Sequence, residues 1–142
     1  DRVWVADFVF TSCPTLCPQL STTMAELQRR VRGLRDVHLV SFSVDPEHDT
    51  PAALRDYAAR FSADPARWSF VRGSTTDLQA TIEKGFRVAM GNAAGGTAPD
   101  GVVHSTRFVL VGRGLRIRGY FDVADPDGLA ARVRAVEAEH GN

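Results

Sequence analysis

Two cysteines, Cys13 and Cys17, are the residues whose type and spacing could do chemistry, and the chain has no others. Three residues separate them, where the apolar run 3–10 gives way to a helical pattern. At this spacing two sulfurs can either form a disulfide or bind one metal ion. A helix N-terminus favours thiolate, because its free N–H groups carry partial positive charge. The pattern therefore predicts a reactive sulfur pair and leaves disulfide exchange and metal binding both open.

A purely structural role for the pair is less favoured. A disulfide that closes so short a loop removes little chain entropy from the unfolded state. A chain of 142 residues, 44% of them hydrophobic, can also bury a core without such a cross-link.

The charge balance excludes some classes of partner. The 17 basic and 17 acidic side chains cancel, whereas nucleic-acid or membrane-surface binding normally needs a surplus of Lys and Arg. No apolar stretch has the length of a transmembrane helix. We expect one domain over residues 1–142, without repeats or linkers. Because the chain starts at Asp1 instead of Met and a strand pattern follows at once, we also expect further residues upstream.

The elements that must position the cysteines follow from hydrophobic spacing. Residues 3–10 predict a strand buried on both faces. From Gln19 a helical spacing follows, with these residues facing inward: Leu20, Met24, Leu27, Val31 and Leu34. A second strand is predicted over 38–44. Thr50 is expected to cap the next helix, with Pro51 in its first turn, and these residues would be buried: Leu54, Tyr57, Ala58 and Phe61.

The second half of the chain continues the alternation. We predict a short strand over 68–71, a helix that begins within 74–77, and a Gly-rich loop over 91–103. Strands 106–111 and 115–121 would form a hairpin, and a last helix would run from about Asp127 to Glu139. This order indicates an α/β sandwich with a mixed sheet.

Three short motifs, in this order, resemble those of the Sco (SCO1/SenC) family. They are FVFTSCPTLCP at 8–18, SVDPEHDTP at 43–51 and VHS at 103–105. The resemblance covers essentially the whole chain and implies a thioredoxin-like fold. It also implies copper delivery during assembly of cytochrome c oxidase, on the periplasmic or extracytoplasmic side of the membrane. The missing upstream part would hold the membrane tether and the first hairpin.

By this resemblance Cys13, Cys17 and His104 match the family's copper ligands. Two thiolates and an imidazole form a soft set that suits Cu(I), with Cu(II) and zinc also chemically admissible. Many family members carry Asp before this histidine, whereas this chain has Val103. The other histidines, His38, His48 and His140, are expected to be ordinary solvated residues, although the loop of His48 could approach the cysteines.

Asp45 and Asp49 follow a strand at its carboxyl end, the usual side for sites in open α/β sheets. Turn and cap chemistry explains them well from the residues alone. The resemblance additionally implies that they support the metal ligands or contact a docked partner.

Three functions fit these residues. The first is a monomeric copper metallochaperone, whose partners would be the copper-site subunit of the oxidase, a thioredoxin-like reductant and another copper chaperone. The second is a thiol-disulfide oxidoreductase that reduces the oxidase's copper-site cysteines. It is less favoured, because thioredoxin-type pairs have two intervening residues where this chain has three. The third is a peroxidase, for which no motif places an Arg to polarise peroxide.

Overall fold

The computed structural model describes residues 2–9, 11, 16–43, 48–72, 107–113 and 116–139. Within them the chain forms five strands and three helices. The strands are β1 (Val3–Val9), β2 (Val37–Ser43), β3 (Trp68–Val71), β4 (Arg107–Val111) and β5 (Ile117–Asp122). The helices are α1 (Leu16–Arg30), α2 (Pro51–Arg60) and α3 (Pro126–Glu139).

The strands make one mixed sheet in the order β3-β2-β1-β4-β5. β1 pairs in parallel with β2, and β2 with β3. β4 runs antiparallel to both β1 and β5. This arrangement confirms the predicted α/β class with a mixed sheet and the predicted hairpin of the last two strands.

β1 is the central strand of the sheet, and six of its seven residues are buried. An apolar run of this kind is typical of a strand that is covered on both faces and paired at both edges. β1 also leads directly to the segment that holds the cysteines. That segment therefore follows directly from the central strand of the described sheet.

α1 packs its predicted inward face into the core. Leu20, Met24, Leu27 and Val31 are all buried, in one cluster with residues of the sheet and of α3. The helix begins at Leu16, earlier than the spacing predicted, because the first turn of a helix tolerates Pro18. It ends at Arg30, so Val31 and Leu34 both lie beyond it. Val31 is buried, whereas Leu34 is only partly buried.

α2 begins as predicted. The Thr50 side chain accepts a hydrogen bond from the backbone N–H of Ala53, and Pro51 occupies the first turn. Leu54 and Tyr57 are buried, whereas Ala58 and Phe61 are only partly covered, so the prediction for these two was wrong. The predicted helix near 74–77 and loop 91–103 lie outside the described residues. In the described ranges, no helix has the length and apolar character needed to cross a membrane.

A carboxyl group lies inside this core, on β1. Asp7 is 0% exposed, and its Oδ1 accepts a hydrogen bond of 2.5 Å from the Ser41 hydroxyl. The Trp68 indole N–H donates in turn to the Ser41 oxygen at 3.0 Å. Burial raises the pKa of Asp7 from 3.8 to about 7, despite the opposing hydrogen bond from Ser41. The fold therefore carries a charge at alkaline pH that it would be more stable without.

The Asp7→Asn variant should show this cost. The pKa of Asp7 is higher in the folded protein than in the unfolded chain, so protonation of Asp7 favours the folded state. This contribution to the free energy of unfolding is complete below pH 3.8 and is lost as the pH rises to about 7. The loss is about 1.4 kcal/mol per pH unit between these values. We expect the free energy of unfolding of Asp7→Asn, relative to wild type, to rise by about 2 kcal/mol between about pH 5 and pH 7.5.

Urea unfolding at the two pH values measures this difference. Asp56→Asn, on the exposed side of α2, is the matched control and should show no such change. Parallel pH dependence in wild type and Asp7→Asn would contradict the prediction.

Candidate thiol and metal site

The ends of several elements meet at one edge of the sheet. β1 and β2 are parallel and end at Val9 and Ser43, which are register partners. β4 is antiparallel to β1, so it begins at the edge where β1 ends. α1 follows β1 after a short connection and therefore also starts at this edge. This is the carboxyl edge of the parallel strands, where open α/β sheets place their ligand sites.

Asp49 joins two of these segments through a fully buried carboxylate. The backbone N–H of Thr11 donates to Oδ1 at 3.1 Å and to Oδ2 at 3.3 Å. The Thr11 hydroxyl donates to Oδ1 at 2.6 Å, and the Ser43 hydroxyl donates to Oδ2 at 2.7 Å. Both carboxylate oxygens are thus supplied with donors, which a buried charge requires.

These bonds fix the backbone immediately before the cysteine pair. Thr11 lies two residues before Cys13 in the chain, and its backbone and side chain are both held by Asp49. Turn and cap chemistry does not account for Asp49, because Thr50 is the cap of α2 and the main partner of Asp49 lies 38 residues away. Sequence reasoning missed Ser43. The available signal was the change along one face of the buried strand β2, from apolar Leu39 to polar Ser41 and Ser43.

Cys17 is the second residue of α1 and lies in its first turn, two residues before the predicted start of the helical spacing at Gln19. No acidic residue lies in that turn to offset the positive end of the helix dipole. Only the backbone of Cys17 is described. Cys13, Asp45 and His104 lie outside the described residues, and the part of the chain that the structure covers contains no cluster of three metal-binding side chains.

His38 does not belong to this site. It lies near the start of β2, at the opposite edge of the sheet, and it is buried, so the prediction of a solvated residue was wrong. Its ring nitrogens lie 3.5 Å from Arg2 and 2.8 Å from the Ser69 hydroxyl. Burial is the main cause that lowers the pKa of His38, and the positive charges of Arg2 and Arg67 add to it. His48 is exposed, as predicted, and His140 lies outside the described residues.

A shallow cavity of about 510 Å³ opens beside the start of α1. Its lining has no ionisable side chain and consists of Pro18, Gln19, Thr22 and Thr23 from α1 and Val123 and Ala124 from the turn after β5. The described surface beside Pro18, at the start of α1, is therefore open and uncharged.

The hydrogen bonds that Asp49 accepts from Thr11 and Ser43 should contribute more to the free energy of unfolding than the hydrogen bond of an exposed aspartate. In Asp49→Asn the side-chain amide must face one of the donors of Thr11 or Ser43, so one buried donor loses its acceptor. We expect this variant to lose about 2 kcal/mol of unfolding free energy, and Ser43→Ala to lose about 1 kcal/mol. Denaturant titration measures both.

Asp64→Asn is the control, because Asp64 is exposed and accepts a local bond from the Ala66 N–H. Its effect should stay within about 0.5 kcal/mol. A loss in Asp49→Asn no larger than in this control would show that the network does not hold the segment.

Comparison with known proteins identifies a family. The family model described as SCO1/SenC matches residues 1–137. The SCO1 protein homolog of Bacillus subtilis (strain 168) is 38% identical over 113 residues, which cover 78% of this chain and 57% of that protein. The chain thus spans little more than half the length of this relative.

Solved structures of similar fold agree. A SCO1/SenC family lipoprotein from Bacillus anthracis str. Ames superposes with a TM-score of 0.81 at 30% identity, covering 95% of this chain and 81% of that one. ScoI of Bradyrhizobium japonicum, solved with copper bound, has a TM-score of 0.72 at 26% identity, covering 95% and 85%. The predicted thioredoxin-like fold is thereby confirmed.

Proposed function

The chain belongs to the SCO1/SenC family, and we propose that it is a copper metallochaperone that delivers its cargo to a copper site of cytochrome c oxidase. Sco proteins are a family of cytochrome c oxidase assembly proteins, and members have been solved with copper bound. The observation that carries the proposal is the convergence of β1, α1 and β4 at one sheet edge, with the cysteine segment anchored there by Asp49.

We assign Cys13, Cys17 and His104 as the copper ligands. Two thiolates and an imidazole are soft donors that match Cu(I) and also accommodate Cu(II). β4 starts only three residues after His104, and three residues span at most about 10 Å. His104 is therefore tethered to the same edge as the cysteines. Metal binding alone need not close the long loop between them, because the β1–β4 pairing already closes it.

Cargo transfer on this assignment is ligand exchange. Thiolates of an acceptor replace Cys13 and Cys17 one at a time, and His104 leaves as the connecting segment moves. The uncharged cavity beside α1 gives the acceptor room at the cysteine end of the helix. Oxidised sulfurs cannot bind the cargo, so the cycle also needs a thioredoxin-like reductant.

The site belongs on the extracytoplasmic side of the membrane. The solved relative from Bacillus anthracis is named a lipoprotein, which fits a domain tethered by an upstream segment. In that oxidising environment the cysteine pair forms a disulfide unless a partner keeps it reduced. We propose that the domain acts there as a monomer.

Asp49 and Asp45 have different parts in this proposal. Asp49 is fully buried and its carboxylate oxygens are taken by Thr11 and Ser43, so it positions the cysteine segment and does not touch a partner. Asp45 stays a candidate for docking or for support of the ligands. Val103, in place of the Asp that many family members have, removes one acidic neighbour that could orient His104.

Anaerobic titration of the reduced chain with Cu(I), against a competing chelator, tests the ligand set. We expect one copper per chain. Loss of a thiolate costs more than loss of the imidazole, so Cys13→Ser and Cys17→Ser should weaken binding by about 100-fold or more and His104→Ala by about 10-fold.

His48→Ala is the matched control, because this exposed histidine follows β2 at the same edge and is not assigned as a ligand. Its affinity should equal that of wild type. Wild-type affinity and spectrum in His104→Ala would remove the imidazole from the site.

A thiol-disulfide oxidoreductase is the second candidate, favoured by the position of Cys17 in the first turn of α1. A thiolate at a helix N-terminus is a good nucleophile toward a disulfide. In this reading the target is the oxidised cysteine pair of the oxidase's copper site, and His104 has no direct part.

Reduction of an oxidised copper-site peptide separates the two candidates. If the chain is a metallochaperone, turnover with excess reductant should be slow, and His104→Ala should impair copper transfer to the reduced peptide by about 10-fold. Rapid turnover that is insensitive to His104→Ala, with copper transfer unaffected, would establish the reductase instead.

A further inference from the structure

One edge of the sheet is surrounded by arginine. It is the edge opposite the start of α1: the chain enters β1 there, α1 ends there, and residues 112–116 connect β4 to β5 there. Residues 31–36 and 61–67 lead into β2 and β3 at the same edge. Among the described residues of these three connections, Asp36 and Asp64 are the acidic ones. The arginines at this edge therefore far exceed the carboxylates that could neutralise them.

Three of these arginines already have partners. Arg30 makes salt bridges of 2.8 and 2.6 Å with acidic side chains of α1 and α3. Arg113 makes one of 3.0 Å with Asp36. Arg67 donates hydrogen bonds to three backbone carbonyl groups within residues 31–34. These three arginines therefore hold the connections together, and their charges are used inside the protein.

The other arginines at this edge are exposed, and none of them has an ion-pair partner in the part of the chain that the structure describes. They are Arg2, Arg29, Arg32, Arg35 and Arg116, and they form what we call the arginine face. A guanidinium group stays charged at any physiological pH. The face therefore presents a group of permanent positive charges to solvent.

The chain segments that carry the arginine face are bonded to one another. The backbone N–H of Val3 donates to the carbonyl of Asp36 at 2.8 Å, so the residues that precede these two, Arg2 and Arg35, lie on adjacent segments. Arg113, in the turn after β4, pairs with the side chain of the same Asp36. The arginine face is therefore one continuous part of the surface, and the pairing of the strands sets its position.

The net charge of zero hides this asymmetry. The numbers of basic and acidic side chains are equal, so an excess of arginine at one end leaves an excess of acid elsewhere. The seven residues of β1 span about 20 Å, whereas salt at about 0.1 M screens charges over about 10 Å. Acidic groups at the opposite edge therefore do not cancel the field of the arginine face. The expectation drawn from net charge, that a membrane surface is not a partner, does not hold for this end of the molecule.

The composition of the face favours lipid headgroups over a protein partner. Protein interfaces are anchored by aromatic and apolar side chains that become buried. In the described residues the exposed large apolar side chains are Val71 and Tyr120, which lie at the far end of β3 and within β5. Guanidinium groups bind phosphate oxygens through paired N–H groups and need no apolar contact.

We propose that the arginine face binds the anionic headgroups of a phospholipid bilayer and orients the domain with the carboxyl edge of its parallel strands away from the membrane. The inference rests on the proposed function in placing the domain beside a membrane, and the upstream tether proposed above would join the domain at Arg2, within this face. The edge where α1 begins then lies about 20 Å from the headgroups, where an acceptor can reach it.

Sedimentation of the metal-free chain with lipid vesicles at low salt tests the proposal. We expect binding to vesicles of equimolar phosphatidylglycerol and phosphatidylcholine, no binding to phosphatidylcholine alone, and release by added salt. Each arginine near an anionic surface strengthens binding by about fivefold. The double variant Arg32→Gln, Arg35→Gln should therefore bind the anionic vesicles about 25-fold more weakly.

The double variant Arg55→Gln, Arg132→Gln is the matched control. It removes the same charge from exposed positions on α2 and α3 that have no ion pair in the described part of the chain, so its binding should equal that of wild type. Equal losses in the two double variants would show that only total charge matters and would overturn the proposal, as would wild-type binding in Arg32→Gln, Arg35→Gln.

A polyglutamate peptide separates an acidic protein from a lipid surface as the partner. Tighter binding of this peptide than of the anionic vesicles would assign the arginine face to an acidic protein and overturn the lipid proposal. Weaker binding of the peptide supports the lipid proposal. Because neither copper nor the cysteines take part in the vesicle experiment, failure of copper binding would leave its outcome unaffected.

Discussion

The carboxylate of Asp49 is the contact on which the organisation of the site depends. It is buried, and it receives donors from the segment that follows β1 and from the end of β2. A charge in that position is tolerable only while those donors are present. The two segments are therefore held together by the hydrogen bonds that one buried carboxylate requires, and these bonds hold Thr11, two residues before Cys13 in the chain.

Asp7, a second buried aspartate, lies on β1 and has fewer hydrogen-bond donors than Asp49. Asp49 has donors on both oxygens, whereas Asp7 has one donor and an oxygen with none in the described residues. The first joins two chain segments through the hydrogen bonds that it accepts from Thr11 and Ser43. The second holds a proton up to near-neutral pH, because burial raises its pKa to about 7.

Much of this could be predicted from the sequence, because it depends on local patterns. The inward face of α1, the Thr50 cap and the short strand at Trp68 each follow from spacing or capping chemistry within a few residues. The partners of Asp49 and Asp7 could not be predicted, because they are contacts across neighbouring strands and depend on register. His38 was misjudged for the same reason, since only the pairing with β3 brings Ser69 beside it.

The antiparallel pairing of β1 with β4 has a consequence for the newly made chain. It joins residues 3–9 with residues 107–111, and pairing across so long a loop is slow to form because the loop must be closed first. The cysteines are synthesised long before the segment that carries His104 can pair with β1. With the ligand set proposed above, a nascent or partly folded chain therefore exposes Cys13 and Cys17 before His104 can join them. The interval before β4 docks is then the period when premature oxidation or binding of the wrong ion is least opposed.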